Sequence, residues 1–404
     1  MTASKKAAAR QSLLAWMGWL IFAVAICAVS HHQGFKRTVV PSYRAASTAW
    51  LASRPIYELD SIHGFLYLPS AAALTVPFLG LPASAHELVF RALSIGFLAW
   101  ATWRLASAVE RATGRAAFLP MTFLVIPTAI GSAVAGQMNI ALAAAMAAAA
   151  ADMIEKRWNR AAIWLGLGFA LKPQMAVFLV LAAIMFRPMR LRALIALVAA
   201  LLVPFLFQSP HFVFEQYRLC WTKLQLSGNP TAVHEHFNDL FGLLSSFGLE
   251  VRESSQWIIR IISMALTVLC AWRGAQRRDN AAAVLMTLAW AACYLMLFNP
   301  RTEGGSYVIA AVPLAVFAVC ATAPRIRVGE VSLLVCIAGG WTASFPISQA
   351  LHQIAGKFVN TGPQFHFWLS PLLALVFVAY LLYLVRNNRG AVERSAPLLS
   401  RGAR

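Results

Sequence analysis

Residues 299–307 read Asn-Pro-Arg-Thr-Glu-Gly-Gly-Ser-Tyr, with apolar sequence on both sides. Arg301 offers a planar fork of N–H donors matched to a phosphate. Glu303, two residues on, can hold Arg301 or take a proton from a hydroxyl. Gly304 and Gly305 let backbone approach a ligand closely. Pro300 fixes the turn, Asn299 adds an amide, and Tyr307 re-enters apolar sequence as an interface aromatic. A surface Arg–Glu pair on a tight turn would also account for this composition.

Other polar islands interrupt the apolar chain. Glu58 and Asp60 are two acids near an aromatic-rich segment that holds Tyr57, His63 and Tyr67. A partly buried carboxylate there can act as general base toward a hydroxyl, or it can be a solvated loop acid or helix cap. Gln137 and Asn139 lie at a tight turn, GQMN, where amides either contact a sugar hydroxyl or cap the adjoining helices. Lys172 stands beside Pro173 at mid-membrane depth by hydropathy. An ammonium there must snorkel, pair with an acid, or face a phosphate or carboxylate ligand in a wet cavity. Asn238 and Asp239 follow His211, His234 and His236. His234-x-His236 beside Asp239 lacks a third ligand at a recognised spacing, so solvated histidines are the simpler reading and no metal is expected.

These islands need a scaffold, and composition names it. Hydrophobic residues make up 60% of the chain and charged residues 12%, against about 25% charged in soluble domains. Apolar runs of 16–20 residues recur, each able to cross about 30 Å of hydrocarbon as a helix. Runs such as ALAAAMAAAAADMI do not alternate, which excludes a β-barrel. The expected fold is all-α and polytopic, with about ten to thirteen transmembrane helices. The first run, LLAWMGWLIFAVAICAVS, is followed by HHQGFKRTVV without a small-residue cleavage site and reads as a retained helix.

The net charge of +19 does not point to nucleic acid, because of where the basic residues fall. Clusters at Lys5–Arg10, Arg104–Arg115, Lys156–Arg160, Arg187–Arg192, Arg273–Arg278, Arg325–Arg327 and Arg386–Arg404 occupy short loops and tails. That is the positive-inside pattern, with membrane lipid headgroups as partners. The loops near 31–65, 136–139, 209–255, 299–305 and 348–365 then face the other side. Spans are expected near 13–30, 86–103, 116–134, 138–153, 190–208, 256–272, 281–298, 306–322, 330–346 and 366–385. Residues 66–82 contain three prolines, and a full crossing there would put the 104–115 cluster outside, so a short or re-entrant segment is expected. Residues 161–186, broken at Lys172-Pro173, should form a hairpin or a broken helix. At 43–54 the spacing suggests a helix lying on the membrane surface. The six cysteines show no disulfide framework or metal spacing. One membrane domain over 1–385 and a basic disordered tail over 386–404 complete this organisation.

The order of the islands resembles the polyprenol-phosphate-mannose-dependent α-mannosyltransferases of glycosyltransferase family 87, within the GT-C membrane fold. The pieces that carry the resemblance are TVVPSYRAASTAWLASRPIY leading into GFLYLPSAAALTVPF, GQMNIAL, GFALKPQ with the basic FRPMRLR, HFNDLFGLL, and FNPRTEGGSYVIAAVP. The resemblance implies a first outer loop lying on the membrane surface that carries the catalytic acid. It also implies a polyprenyl-phosphate sugar as donor, a lipid- or glycan-linked acceptor, and transfer with inversion at the outer face of a bacterial plasma membrane. Many members place an Asp shortly before the tyrosine of that loop, whereas Val39, Val40, Pro41 and Ser42 precede Tyr43 here. The base is therefore expected among Asp60, Glu58 and Glu303. Arg301, Lys172 and Arg44 are the candidates for the donor phosphate. Tyr43, His63, Tyr67, Gln137, Asn139, Asn238, Asp239, Asn299 and Tyr307 are candidates for contacting substrate. No Asp-x-Asp occurs, and no metal or other cofactor is expected.

Two other readings compete. A transporter or lipid flippase would use the Lys172-Pro173 break as a discontinuous helix, but no inverted repeat is visible. A non-catalytic scaffold would leave the polar islands without a purpose.

Overall fold

The computed structural model describes residues 3–36, 38–228, 237–276, 278–322, 326–355 and 365–387. Among them the chain is helices, short 3-10 turns and loops, with no strand. It is an all-α polytopic membrane protein. Among the described residues, seven helices are long and apolar enough to cross a membrane by length and composition: Ala9–His32, Ala83–Thr113, Phe118–Ala135, Arg187–Leu206, Glu253–Ala275, Asn280–Phe298 and Phe367–Arg386. Shorter apolar helices lie between them, Asn139–Ile154, Pro173–Met185, Gly304–Cys320 and Val328–Ser344 among them.

The basic clusters gather at one end of the bundle. Helix α1 spans Ala3–His32, α2 Val40–Leu51, α3 Pro69–Thr75, α4 Ala83–Thr113, α5 Phe118–Ala135, α6 Asn139–Ile154, α7 Trp158–Leu171, α8 Ala176–Met185 and α9 Arg190–Leu202. Arg104 of α4 bonds Asp152 of α6 at 2.6 Å, and Arg192 at the start of α9 bonds Asn159 at the start of α7 at 2.6 Å. Asn280, further along the chain, donates to the carbonyls of Met153 and Ile154 that end α6.

The polar islands gather at the opposite end. Helix α2 lies there with Val40, Tyr43, Ala46, Ser47 and Trp50 buried. These positions repeat at three and four residues, so one stripe faces the bundle and the other faces outward. Helix α10 (Pro210–Ser227) joins it, its Gln216 accepting from the Ile56 backbone N–H at 3.0 Å. Helix α11 (Leu240–Ser246) follows, capped by Asp239, which accepts from the Gly242 N–H at 2.8 Å. The remaining helices are α12 (Glu253–Ala275), α13 (Asn280–Phe298), α14 (Val308–Cys320), α15 (Val328–Ala355) and α16 (Phe365–Arg386).

Both ambiguous segments take a definite path. The 66–82 region folds as α3 and a 3-10 turn over Val76–Gly80. Its start and its end both touch α2: Ser47 donates to the Ala72 carbonyl at 2.9 Å and Arg44 to the Leu81 carbonyl at 2.8 Å. The segment therefore stays at the island end, and the 104–115 cluster remains with the other basic loops. Residues 158–185 form a hairpin, α7 and α8, that turns at Lys172-Pro173-Gln174. Of the two paths expected for this segment, the hairpin is the one taken. Pro173 lacks the N–H and sterically disfavours helix at the residue before it, so Lys172 is extended, at φ −149° and ψ 118°. It sits at the mouth of the island end.

Helix length sets the depth of that mouth. At 1.5 Å per residue α6 reaches about 24 Å and α7 about 21 Å, short of the ~30 Å hydrocarbon thickness. Helix α6 is buried from Asn139 to Met153, and α13 and α14 are nearly as enclosed. Alanine lets these backbones approach closely. The bundle periphery carries the opposite chemistry, with Leu20, Ile21, Leu191 and Ile261 each about two-thirds exposed, as a lipid-facing surface requires.

Candidate functional site

The GQMN turn exists because α5 stops at Gly136, which adopts φ +64°. That left-handed conformation favours glycine, and a Cβ there would also lie 2.5 Å from Val40. The turn aims Gln137 and Asn139 at the 299–307 island. Gln137 donates its side-chain amide to Glu303. Its Oε1 accepts from Ser132 at 2.8 Å and from Asn139 at 2.9 Å. Ser132 donates alternatively to the Gly305 carbonyl at 2.7 Å. Asn139 also reaches Ser306 at 3.2 Å, and its Oδ1 accepts from the Lys172 ammonium. Ser132, Gln137 and Asn139 of one segment and Gly305 and Ser306 of another thus form one network with the Glu303 carboxylate and the Lys172 ammonium.

The two glycines differ: Gly305 is required by protein packing, and Gly304 is not. A Cβ at Gly305 would lie 2.7 Å from Gln137 Oε1 and 2.8 Å from Ser132 Oγ. At Gly304 the nearest atom, Asn238 Nδ2, would be at an ordinary 3.7 Å.

Arg301 joins this cluster to the first loop. Its Nη1 donates to the Ile62 carbonyl at 2.8 Å, and Nη2 lies 3.2 Å from His63 Nδ1. Its Nε is 3.6 Å from Glu303 Oε1, a long ion pair. The Arg301 side chain is 16% exposed and that of Glu303 45%, so the acid is open to an incoming group and the guanidinium is largely sheltered. Beneath the same loop lies Lys223 of α10, fully buried. It donates to the backbone carbonyls of Glu58 and Ser61. Burial pushes its ammonium below the usual lysine range, with the Glu58 and Asp60 carboxylates opposing that shift.

Three tyrosines wall the other side. Tyr43 and Tyr67 share a hydroxyl hydrogen bond at 3.0 Å, and Tyr57 donates to the Tyr67 carbonyl at 2.6 Å. The Lys172 ammonium stands 5.8 Å from the centre of the Tyr67 ring, within cation–π reach. Burial raises the Tyr67 phenol to about 12, so it stays protonated and serves as a donor or wall. Behind α2, Arg91 bonds Glu87, Thr38 at 3.0 Å and the Val134 carbonyl at 2.8 Å. This buried network ties the entry of α2 to the end of α5.

The structure therefore brings together Glu303, Arg301, Lys172, Gln137, Asn139, Tyr43, Tyr67 and His63. Glu58 and Asp60 are exposed on the loop that Lys223 and Arg301 hold. Asn299 accepts from Gln174 at 3.1 Å at the hairpin turn. Arg44 is turned to the Leu81 carbonyl. Tyr307 is not an interface aromatic: it is 1% exposed, with its ring on Trp341 and its hydroxyl donated to the Asn238 carbonyl at 2.9 Å. Asn238 and Asp239 are buried, and Asp239 acts as a helix cap. Burial raises the Asp239 carboxyl to about 6, with the Gly242 N–H and Arg260 opposing. Among the described residues no three metal-type side chains converge; His234 and His236 lie outside the described residues.

Sequence reasoning passed over Lys223, Ser132, Ser306 and Gln174. Lys223 had a usable signal, a lysine close to Cys220, Trp221 and Leu224 in RLCWTKLQL. The two serines had none.

An acid held by one amide, Gln137, with the Arg301 and Lys172 cations in the same cluster, suits handling of a polar, anionic substrate. The sequence pattern of glycosyltransferase family 87 matches residues 65–300. The chain belongs to that family. No curated protein matches it. As a member of family 87 it is a membrane glycosyltransferase, and the matched region takes in the GQMN turn, the Lys172 hairpin and Asn299. Glu303 and Arg301 follow directly on the matched segment.

Proposed function

We propose that this protein transfers a hexose, with mannose the first choice, from a polyprenyl-phosphate donor to a hydroxyl of a lipid- or glycan-linked acceptor. The observation that carries this reading is the pairing of an accessible carboxylate, Glu303, with Arg301 and with Lys172 held by Asn139. In the proposed step Glu303 takes the acceptor hydroxyl proton. The acceptor oxygen forms a bond to the anomeric carbon as the bond from that carbon to the phosphate oxygen breaks. The electron pair leaves with polyprenyl phosphate, and configuration inverts. Arg301 and Lys172 face the charge that develops on the leaving phosphate, the part a divalent cation would otherwise play.

Glu303 is favoured over Asp60 and Glu58 as base. The positions before Tyr43 carry no acid, yet Val39 donates to the Ala135 carbonyl at 3.0 Å and Val40 packs on Gly136. That places the start of α2 against the turn whose Gln137 holds Glu303. A carboxylate supplied by the 299–307 island would thus serve the same corner. With the basic ends in the cytoplasm, the site opens on the opposite side of the plasma membrane.

The test is transfer of label from polyprenyl-phosphate [3H]mannose to lipid and glycan extracts by the detergent-purified chain. Label in a new product that vanishes in Glu303→Gln and persists in Asp60→Asn supports the reading. Loss in Asp60→Asn with activity retained in Glu303→Gln would move the base to the first loop. Label crossing a vesicle membrane without bond cleavage would replace transfer with transport.

A further inference from the structure

The basic end of the bundle holds a second cluster of charged residues that the proposed transfer does not use. Helix α6 ends there with Asp152 in its last turn and Glu155 just beyond. Two acids at a helix C-terminus add to the negative end of its dipole, and four arginines gather around them. Arg104, largely buried, bonds Asp152 at 2.6 Å and Glu155 at 3.2 Å. Arg111 bonds Glu155 as well, Arg157 reaches it at 2.8 Å, and Arg160 stands 3.6 Å from Asp152. Asp152 is fully buried and accepts a further hydrogen bond from Trp164 Nε1 at 3.0 Å.

Four guanidinium groups against two carboxylates leave an excess of two positive charges. Arg104 donates to both acids from Nη2 and stands 5.6 Å from the centre of the Trp100 ring. Arg111, Arg157 and Arg160 keep 59%, 50% and 47% of their side chains exposed, and each has N–H groups beyond those facing the acids. These three line a cleft of about 810 Å³ together with Trp100, Trp103, Arg104 and the Glu155 carboxylate that Arg104, Arg111 and Arg157 already pair. A clamp that only joined α4, α6 and α7 would need neither the surplus charge nor the open cleft.

We propose that this cleft binds the headgroup of an anionic glycerophospholipid, with its phosphate between Arg111, Arg157 and Arg160. The indole wall decides for a lipid over a free anion. Trp100 and Trp103 lie on a membrane-crossing helix beside the arginines, which is where indoles meet the junction of acyl chains and headgroups. Arginine forks match phosphate oxygens, and basic pockets between transmembrane helices suit anionic lipid headgroups. The site lies at the end of the bundle away from Glu303, so its test does not depend on the transferase reading.

The experiment is native mass spectrometry of the full chain in detergent, titrated with phosphatidylglycerol, phosphatidylcholine or inorganic phosphate. Phosphatidylglycerol should be retained preferentially, with affinity falling about fivefold per arginine removed and about thirtyfold in Arg111→Ala/Arg157→Ala. Arg160→Gln gives up only the 3.6 Å ion pair, so it tests the site with the fold intact and should lose about fivefold. Arg190→Ala, elsewhere on the same basic end, should retain the lipid as wild type does. Equal retention of the two lipids, or equal retention by wild type and Arg160→Gln, would overturn the proposal. Inorganic phosphate displacing phosphatidylglycerol at millimolar concentration would reassign the cleft to a free anion.

Discussion

Gln137 donates its side-chain amide to Glu303 from a turn 166 residues earlier in the chain. The bond fixes one carboxylate oxygen and leaves the other toward Arg301, 3.6 Å away. A base held this way has one productive face. Gln137→Ala should keep the carboxylate but free its orientation. Transfer should fall about ten- to a hundredfold, against the 10²- to 10⁴-fold typical of losing a general base outright in Glu303→Gln. Initial rates of both variants, measured over a range of donor concentrations, check this. Equal rates for wild type and Gln137→Ala would remove Gln137 from the positioning of Glu303.

Gly305 tests the same geometry from the backbone side. A methyl there meets Gln137 Oε1, Ser132 Oγ and the Ser132 backbone nitrogen at 3.2 Å. The nitrogen cannot swing aside, so the 299–307 island must shift. Gly305→Ala should cost about 1–3 kcal/mol of stability and lower transfer although every charged residue remains. Gly304→Ala, with only an ordinary contact to Asn238, should do neither. Thermal midpoints and rates of the two variants, compared side by side, decide it.

The transmembrane elements were largely legible in the sequence, and the reasons are physical. Residues 281–298 stand out as a span because every position in that run tolerates burial, and the helix is Asn280–Phe298. The break at Lys172-Pro173 was legible because proline cannot continue a helix, and the choice between a hairpin and a broken helix fell to the hairpin of α7 and α8. The islands were legible as exceptions to an apolar chain, but their convergence was not. Nothing in FNPRTEGGSY indicates that Gly305 packs on Ser132, or that Arg301 reaches back to Ile62. The bond from Arg44 to the Leu81 carbonyl was not legible, because Leu81 belongs to a segment whose path was open.

Lys223 should be an anchor for the acidic loop. Its ammonium supplies the donors for the Glu58 and Ser61 carbonyls. Lys223→Met keeps the volume and removes those donors, which costs about 1–3 kcal/mol for the unsatisfied carbonyls. The loop over 58–63 should then exchange its amide hydrogens faster, and Arg301 should lose its fixed partner at Ile62. Hydrogen exchange confined to that loop, with the rest of the bundle unchanged, is the expected pattern. Unchanged exchange would mean that Arg301 and the tyrosines hold the loop without Lys223.

Asp239 gives a pH prediction with a definite sign. Burial holds its carboxyl at about 6 in the folded chain, above the ordinary 3.8. Between those values the folded state binds more protons than the unfolded state, so this residue's contribution to stability falls as pH rises from about 4 to about 6 and then levels off. Asn at this position keeps an oxygen to accept from the Gly242 N–H and carries no charge to desolvate. Asp239→Asn should therefore match wild type near pH 4 and equal or exceed it at pH 7, with a flatter profile between. Thermal unfolding midpoints across that range measure the difference. A variant less stable than wild type at pH 7 would show instead that the ionised carboxylate, held by Gly242 and facing Arg260, is the stabilising form.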